Sequence, residues 1–308
     1  MSIRPLSKEL AEKARLELNE DPNRIASDIQ HIKDWLAKQP HLRARTDDQW
    51  LVAFLRGCKY SLERTKEKLD LYYSVRTTAP ELFTIKHSDP IFKEILDTGF
   101  LVILPKSKDP VGPRIAIMRV GAFDADKYKM TDTMSVTNLI QQITLMEDDN
   151  AVVSGTVSIL DLEGVTMSHF LQMTPMLMKK MVVISQDATP YRMKGVHYIN
   201  TPPGFETIFN AIKALLNEKN RQRLYVHNRN YDELYKYIPK EILPAEYGGN
   251  AGTIKEIIDA WKKKIEAYDD WLTEDLQYGT DESKRPGKPK TSEEMFGVEG
   301  SFRQLEFD

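Results

Sequence analysis

The sequence contains a single cysteine, Cys58, and no Asn-x-Ser/Thr sequon. One cysteine excludes a disulfide framework, and both absences favour a reducing compartment over secretion. Long apolar runs are also missing, since the longest, Trp50 to Leu55, is far below the roughly 20 residues that span a bilayer. The N-terminus has no apolar stretch resembling a signal peptide. We therefore expect a cytoplasmic protein without a membrane-spanning segment.

An excess of basic charge is missing as well. The 308 residues include 43 Lys and Arg against 46 Asp and Glu, for a net charge of −3, which argues against a dedicated nucleic-acid-binding protein. The sequence motifs of glycine-rich nucleotide-binding loops, of the G-x-S-x-G nucleophile turn of hydrolases and of structural zinc sites are absent. We therefore expect a protein that is not an enzyme, with no catalytic residues and no bound metal. Asp161 and Glu163 could form an acid/base pair, but two acids at a strand end more often hold a turn.

In the first eighty residues, apolar side chains recur every three or four positions, which predicts consecutive amphipathic helices. Thr46 and Gln49 predict a capping box at the start of the third helix. Ser61 predicts the cap of a fourth helix that ends before Pro80. No strand is predicted before residue 99.

From Gly99 onwards, short β-branched or apolar runs alternate with segments of helix length. The predicted strands are Phe100 to Leu104, Arg114 to Val120, Gly155 to Asp161, Val196 to Asn200 and Leu224 to His227. The predicted helices are roughly Asp132 to Glu147, Thr174 to Gln186, Gly204 to Glu218 and 254 to 277. Helix-length crossovers between the late strands predict an α/β fold with a mostly parallel sheet.

This pattern divides the chain into a small N-terminal helical domain at residues 1–90, an α/β domain at 91–252, and a C-terminal helix with an extended tail at 253–308. The tail begins after Tyr278 and is polar, with Gly and Pro. Several apolar residues could nevertheless dock it on the body, namely Phe296, Val298, Phe302, Leu305 and Phe307.

Methionines and isolated hydroxyls suggest a pocket. Ten of the twelve methionines lie between Met118 and Met193; they could adapt to an apolar guest or simply fill the core. Hydroxyls among apolar residues suit a pocket that orients the polar end of a ligand, although each could instead bond its own helix backbone. The candidates are Thr133 and Thr137 on a helix and Thr156 and Ser158 on a strand.

The segment Gly204 to Glu218 is strongly amphipathic and follows the rigid sequence Thr-Pro-Pro-Gly. It could be a movable lid, or a surface helix packed permanently on the sheet. Basic residues occur on both sides of it: Arg192 and Lys194 before, and Lys219, Arg221 and Arg223 after. If these segments adjoin, they form a site for anionic lipid headgroups; if they do not, they are solvated charges.

Four motifs, in their order and spacing, resemble the CRAL-TRIO family of lipid-transfer proteins. They are Phe54-Leu-Arg-Gly-Cys-Lys-Tyr60, Ile159-Leu-Asp-Leu-Glu-Gly164, Arg192-Met-Lys-Gly-Val-His-Tyr-Ile-Asn200 and Leu243-Pro-Ala-Glu-Tyr-Gly-Gly249. The similarity covers about residues 25 to 250 and is greatest to the alpha-tocopherol transfer protein branch, with a tail that resembles insect members. It implies an apolar cavity floored by the sheet and closed by a helical gate at Thr201 to Asn217.

The residue pattern and the resemblance together predict two sites. The cavity would be lined by Met130, Thr133, Met134, Thr137, Thr156, Ser158, Leu160, Val165, Met181, Met193, Val196, Phe205, Ile208 and Ile212. A phosphoinositide cleft, which the resemblance implies, would be formed by Lys59, Arg192, Lys194, Lys219 and Arg223. The chain departs from the family pattern at Cys58, where an arginine is frequent, and at Thr189 and Val165, which replace larger apolar or aromatic residues.

The resemblance implies a carrier of one apolar lipid, tocopherol-like first and a retinoid or carotenoid second. We expect a monomer with no cofactor besides its bound lipid, associated peripherally with phosphoinositide-containing membranes. The alternative is a phosphoinositide-sensing adaptor in which the lipid is structural.

Overall fold

The N-terminal region is helical, as predicted. In this computed structural model, which describes residues 3–297, its elements are α1 (Lys8–Leu18), α2 (Ile25–Leu36), β1 (Leu42–Arg43), α3 (Asp48–Gly57), α4 (Leu62–Thr78) and α5 (Pro90–Asp97). The Ser61 side chain caps α4 by accepting a hydrogen bond from the Arg64 backbone N–H. The predicted capping box at Thr46 is wrong, because α3 begins at Asp48 and the Gln49 side chain accepts instead from the Arg4 backbone N–H, at 2.8 Å.

The α/β part contains a five-stranded sheet in the order β2-β3-β4-β5-β6. The strands are β2 (Leu101–Ile103), β3 (Arg114–Arg119), β4 (Thr156–Asp161), β5 (Met193–Ile199) and β6 (Leu224–Asn228). β2 pairs antiparallel with β3, and the other pairs are parallel. The predicted α/β class and mostly parallel sheet are therefore confirmed.

Helices connect these strands and follow the last of them. The connecting helices are α6 (Met130–Glu147), α7 (Asp149–Ser154), α8 (Met167–Gln172), α9 (Pro175–Val182), α10 (Phe205–Leu215) and α11 (Glu218–Arg221), and α12 (Tyr231–Leu234) follows β6. Thr174 caps α9 as predicted, by accepting from the Leu177 backbone N–H. The predicted α-helix to Gln186 differs in its second half, because Val183–Ala188 is a π-helix.

The described part of the C-terminal segment packs on the rest of the protein through α13, β7 and Phe296. Its elements are α13 (Ile254–Ala267), α14 (Asp269–Asp275), β7 (Gly279–Thr280) and α15 (Ser292–Phe296). The single predicted helix at 254–277 breaks at Tyr268. β7 pairs with β1, so the prediction of no strand before residue 99 is wrong. Phe296 is fully buried, so the tail is not extended up to this residue but docks there, as the alternative interpretation allowed. Val298, Phe302, Leu305 and Phe307 lie outside the described residues.

Ion pairs hold this C-terminal segment against α4. Both carboxylate oxygens of Asp70 accept from Arg285 at 2.9 Å, and Asp70 also pairs with Lys290 and His41. Burial alone would raise the pKa of Asp70, but these hydrogen bonds lower it to about 2. The contact therefore stays charged across the physiological pH range.

Asp161 has a structural position, as the turn interpretation predicts. Its carboxylate accepts from the Asn200 side chain at 2.8 Å, from the Glu163 backbone N–H at 3.0 Å and from the Tyr247 hydroxyl. These bonds join three of the four sequence motifs at the C-terminal ends of β4 and β5. Among residues 3–297, every helix is too short or too polar to cross a membrane.

A buried histidine pair on the sheet gives the fold a pH dependence. His197 Nδ1 lies 2.9 Å from His227 Nε2, the His197 ring stacks on both His227 and Tyr225, and Tyr237 is tilted against the two histidine rings. Burial and the neighbouring His227 lower the pKa of His197 to about 4. The neutral ring is thus favoured in the folded state, and the stability this provides is present above pH 6.5 and is lost as the pH falls towards 4.

We expect the free energy of unfolding to fall by about 2–3 kcal/mol between pH 7 and pH 4 through this residue. Urea denaturation across that range measures it. His197→Phe should flatten the curve, whereas replacing the exposed His31 with Gln should leave it unchanged. A His197→Phe curve as steep as the parent's would contradict the assignment.

Candidate functional site

An apolar cavity of about 270 Å³ lies between the sheet and the helices α6, α9 and α10. Alternate residues of the strands form its floor, because side chains in a strand point to opposite faces in turn. The floor residues include Ala116 and Met118 of β3, Ser158 and Leu160 of β4, and Tyr198 of β5. The other face of β3 and β4 packs into the protein core.

Many of the predicted cavity residues do line this cavity. They are Met134, Thr137, Thr156, Ser158, Leu160, Met181, Met193, Val196 and Ile212. Thr189, where the chain departs from the family pattern, lines it too. Thr137 also donates to the Thr133 carbonyl at 2.8 Å, so its hydroxyl is bonded to its own helix, as the alternative interpretation predicts.

Five predicted residues lie outside the lining: Met130, Thr133, Val165, Phe205 and Ile208. Thr133 is buried and donates to the Met130 carbonyl within the first turn of α6. Val165 belongs to the turn after β4, where its N–H bonds the Leu162 carbonyl. Phe205 is buried against Tyr198 instead of facing the cavity, with ring centroids 5.3 Å apart.

Several lining residues were missed, although three of them follow a period-two pattern along β3. Ala116 and Met118 alternate along β3 as Ser158 and Leu160 do along β4, to which β3 is paired in register. Arg114 begins the same series and also lines the cavity. The alternation of β3 could have identified all three.

The segment that the resemblance predicts as a gate, α10, covers the cavity on the β5 and β6 side. Phe205 and Phe209 pack their rings against Tyr198 of β5, while Ile212 and Leu216 face the cavity. Arg221 of α11 caps the C-terminal end of α10 by donating to the Leu216 carbonyl at 2.7 Å. Aromatic contacts therefore hold the start of α10 in place, and hydrogen bonds hold its end.

A polar contact joins the end of the gate to the π-helix. Gln186 Oε1 accepts from the Asn217 backbone N–H at 3.0 Å and from the Asn220 side chain at 3.1 Å. Gln186 and Asn220 also line the cavity. Opening between α9 and α10 would break these bonds, each of which contributes about 0.5–1.5 kcal/mol.

The five predicted cations lie close together. Arg192, Lys194 and Arg223 precede or begin neighbouring strands, and burial together with their mutual repulsion lowers the pKa of Arg192 and of Lys194. Burial and the charges of Arg223, Lys59 and Arg192 likewise lower the pKa of Lys219. The proximity of the two flanking segments, left open by the sequence, is therefore present in the structure.

The turn after α3 brings Lys59 to this cluster. A side chain at Gly57 would place its Cβ 2.2 Å from the Pro190 carbonyl oxygen, so only glycine permits this close approach. Pro190 comes two residues before Arg192. Lys59 itself has a φ of +54°, which turns the chain back at this point.

Few carboxylates neutralise the positive charge of the cation cluster. Glu17 lies 3.9 Å from both Arg192 and Lys194. Within residues 3–297, Lys59, Lys219 and Arg223 have no carboxylate within ion-pair distance, and Lys59 and Lys219 are exposed. An anion with several oxygens would relieve this repulsion.

Comparison with known proteins agrees with this architecture. The CRAL/TRIO domain matches residues 97–249, and the Pinta-like UBA domain matches residues 21–94. The mouse alpha-tocopherol transfer protein-like protein is 34% identical over 81% of this chain and 72% of its own length. Human clavesin-2 is 31% identical over 92% of this chain and 85% of its own length.

The crystal structure of Sfh5 aligns over 85% of this chain and 99% of its own, with 14% identity and a TM-score of 0.46. The two mammalian relatives match over most of their length, and hydrogen bonds to Asp161 join three of the four motifs at the ends of β4 and β5. The chain belongs to the CRAL-TRIO family of lipid-binding transfer proteins.

Proposed function

We propose that this protein is a cytoplasmic, monomeric carrier that holds one apolar lipid in its cavity and exchanges it at membranes that contain phosphoinositides. The observation that carries the proposal is the apolar cavity beneath an amphipathic helix, with a cluster of cations beside the same helix. The similarity to an alpha-tocopherol transfer protein-like relative supports a tocopherol-like cargo first and a retinoid or carotenoid second.

Exposed apolar side chains on α8, α9 and α10 support the membrane step. Met167 and Leu171 of α8 are 69% and 74% exposed, and Met176 of α9 and Leu215 of α10 are also exposed. Burying each such side chain in a bilayer is favourable by roughly 1.5–3 kcal/mol. That gain is of the size needed to offset the contacts between α9 and α10 that opening would break.

Transfer of a fluorescent tocopherol between two vesicle populations tests the proposal. We expect the parent to move cargo catalytically, and Ile208→Asp to slow transfer at least tenfold, because Ile208 lies outside the cavity lining and its charge opposes insertion of the apolar face. The matched control is Asn210→Asp, which adds the same charge to an exposed position of α10.

Equal transfer rates for these two variants would contradict the gate role. A protein that binds phosphoinositide vesicles without moving any cargo would instead be the sensing adaptor, in which the bound lipid is structural.

The cation cluster gives a second prediction. Lys194→Ala with Lys219→Ala should weaken binding to phosphoinositide vesicles about tenfold or more, because both ammonium groups can donate charge-assisted hydrogen bonds to phosphate. The remaining binding should depend less on salt. Arg192 is kept, because its guanidinium also donates to the Val153 carbonyl within the fold.

Vesicle sedimentation over a series of salt concentrations measures this effect. Lys255→Ala with Lys288→Ala is the matched control, because both side chains are 83% exposed and neither neighbours the cluster. The prediction fails if the two double variants bind equally, and cargo affinity in solution should be the same in both.

A further inference from the structure

A buried arginine lies in the wall of the otherwise largely apolar cavity. Arg114, the first residue of β3, has a side chain that is 10% exposed. Its Nε donates to Asp148, and its Nη1 donates to the Leu104 carbonyl at 2.8 Å. These bonds fix the plane of the guanidinium at the N-terminal end of the strand.

One nitrogen atom of this guanidinium has no hydrogen-bond partner among the described residues. In the described chain, Nη2 of Arg114 takes part in no hydrogen bond. Arginine has five N–H donors and no acceptor, and it does not lose its proton in proteins. The Arg114 side chain is only 10% exposed and lines the cavity, so an oxygen of a ligand held there can accept a charge-assisted hydrogen bond from its unpartnered N–H groups.

The surroundings of Arg114 form a polar end of the cavity. Arg114 pairs in register with Thr156 on β4, and Ser158 follows two residues later. Both hydroxyls line the cavity, and across residues 3–297 neither makes a side-chain hydrogen bond. The far ends of the same strands contribute Met118 and Leu160 to the floor. The floor is thus polar at one end and apolar at the other.

The charge at this end is already balanced. Asp148 is 9% exposed at its side chain, pairs with Arg114 and also accepts from the Ala151 backbone N–H. A carboxylate ligand would add a second buried anion beside Asp148, which disfavours its charged form. A neutral oxygen can accept from Nη2 without that repulsion.

Water reaches this end of the cavity from the other side. Arg114, Ile103 and Thr144 also line a cleft of about 370 Å³ against α13, where Trp261 and Lys264 form the opposite wall. A polar group held at Arg114 therefore does not need to lose all contact with water. The gate lies over β5 and β6, two strands away, so the apolar part of the ligand would extend towards it.

We infer that Arg114 determines cargo specificity by binding a neutral oxygen, a hydroxyl or a carbonyl, at the end of an apolar ligand. This inference rests on the proposed carrier function and narrows its cargo class. Pure hydrocarbons and free carboxylates should be poorer ligands than alcohols, phenols and aldehydes of the same skeleton.

Matched ligand pairs on the full chain test the inference. The probes are retinol and retinaldehyde against retinoic acid and axerophthene, which has a methyl group in place of the alcohol, and α-tocopherol against its 6-deoxy analogue. Fluorescence titration should show retinol, retinaldehyde or α-tocopherol binding about tenfold tighter than the matched hydrocarbon. Retinoic acid should bind more weakly than retinaldehyde.

Arg114→Lys keeps the charge opposite Asp148 but removes the guanidinium fork, so the oxygen preference should fall below about threefold while hydrocarbon affinity stays unchanged. Arg229→Lys, at an 80% exposed side chain, is the matched control and should keep the preference. A preference unaltered by Arg114→Lys, or equal affinities in the parent, would overturn the inference alone. If none of these ligands binds the parent, the carrier function itself is wrong and the inference falls with it.

Discussion

Replacing Arg56 with alanine is expected to lower the free energy of unfolding by about 3–5 kcal/mol. Arg56 is 1% exposed, and its Nε and Nη2 donate to the Glu20 carboxylate at 2.8 and 3.0 Å. The Tyr60 hydroxyl donates to the same carboxylate at 2.9 Å. Removing the guanidinium leaves Glu20, itself 7% exposed, as a buried charge that has lost its cation.

A second variant separates this cause from lost packing. If the unpaired charge dominates, Arg56→Met combined with Glu20→Leu should be less destabilising than Arg56→Ala alone, because the pair is then replaced by apolar groups of similar size. Urea denaturation measures both. Arg15→Ala, which breaks an exposed pair with Glu12, should leave the denaturation midpoint unchanged.

If the double variant is less stable than Arg56→Ala, lost packing and not the unpaired charge causes most of the loss in the free energy of unfolding. The expected result also assigns a role to the arginine of the Phe-Leu-Arg motif. It joins α3 to the segment after α1 and lies 3.8 Å from Asp149 at the start of α7. The motif thus fixes the turn that carries Lys59 to the cation cluster.

Local pattern was sufficient to predict the five strands of the large sheet and most helices. Short β-branched or apolar runs located β2, β3, β4 and β6 to within one residue at each end, whereas β5 begins three residues earlier than predicted. Ser61 and Thr174 were identifiable as caps because a capping side chain acts within its own first turn. Such interactions are encoded by neighbours in sequence.

The errors in the fold come from contacts between distant segments. Gln49 was free to close a capping box by sequence, but the Arg4 backbone, 45 residues away, takes its side chain. β1 is two residues long and has strand geometry because it pairs with β7 near the C-terminus. No local signal distinguishes such a pair from two loops.

The site was predictable where it follows strand alternation and less so on helices. Thr156, Ser158 and Leu160 line the cavity as their spacing on β4 predicts. The prediction that Thr133 lines the cavity is wrong, because the apolar face of a helix is wide and tertiary packing decides which part of that face points to the sheet. Arg114 was missed because a charged residue at the start of a strand is usually at the surface, whereas Asp148 pairs with it inside.

Thr156→Trp is expected to lower the affinity for any apolar cargo at least about a hundredfold. Thr156 lines the cavity on β4, and an indole there would occupy much of a space of about 270 Å³. A hundredfold loss corresponds to about 2.7 kcal/mol, which is within the range that steric overlap in a packed interior produces. Fluorescence titration with tocopherol and retinol measures the change.

The specificity of this loss depends on the position of Thr156 relative to the cation cluster. Its backbone N–H bonds the Arg192 carbonyl at 3.0 Å, while its side chain lines the cavity. Vesicle binding should therefore stay within about twofold of the parent, because the backbone that places Arg192 is unchanged. Thr207→Trp, at an exposed position of α10, adds the same indole outside the cavity and should retain cargo affinity. Parent-like affinity in Thr156→Trp would show that cargo binds elsewhere, whereas loss of vesicle binding together with cargo would show that the substitution has disturbed the strand itself.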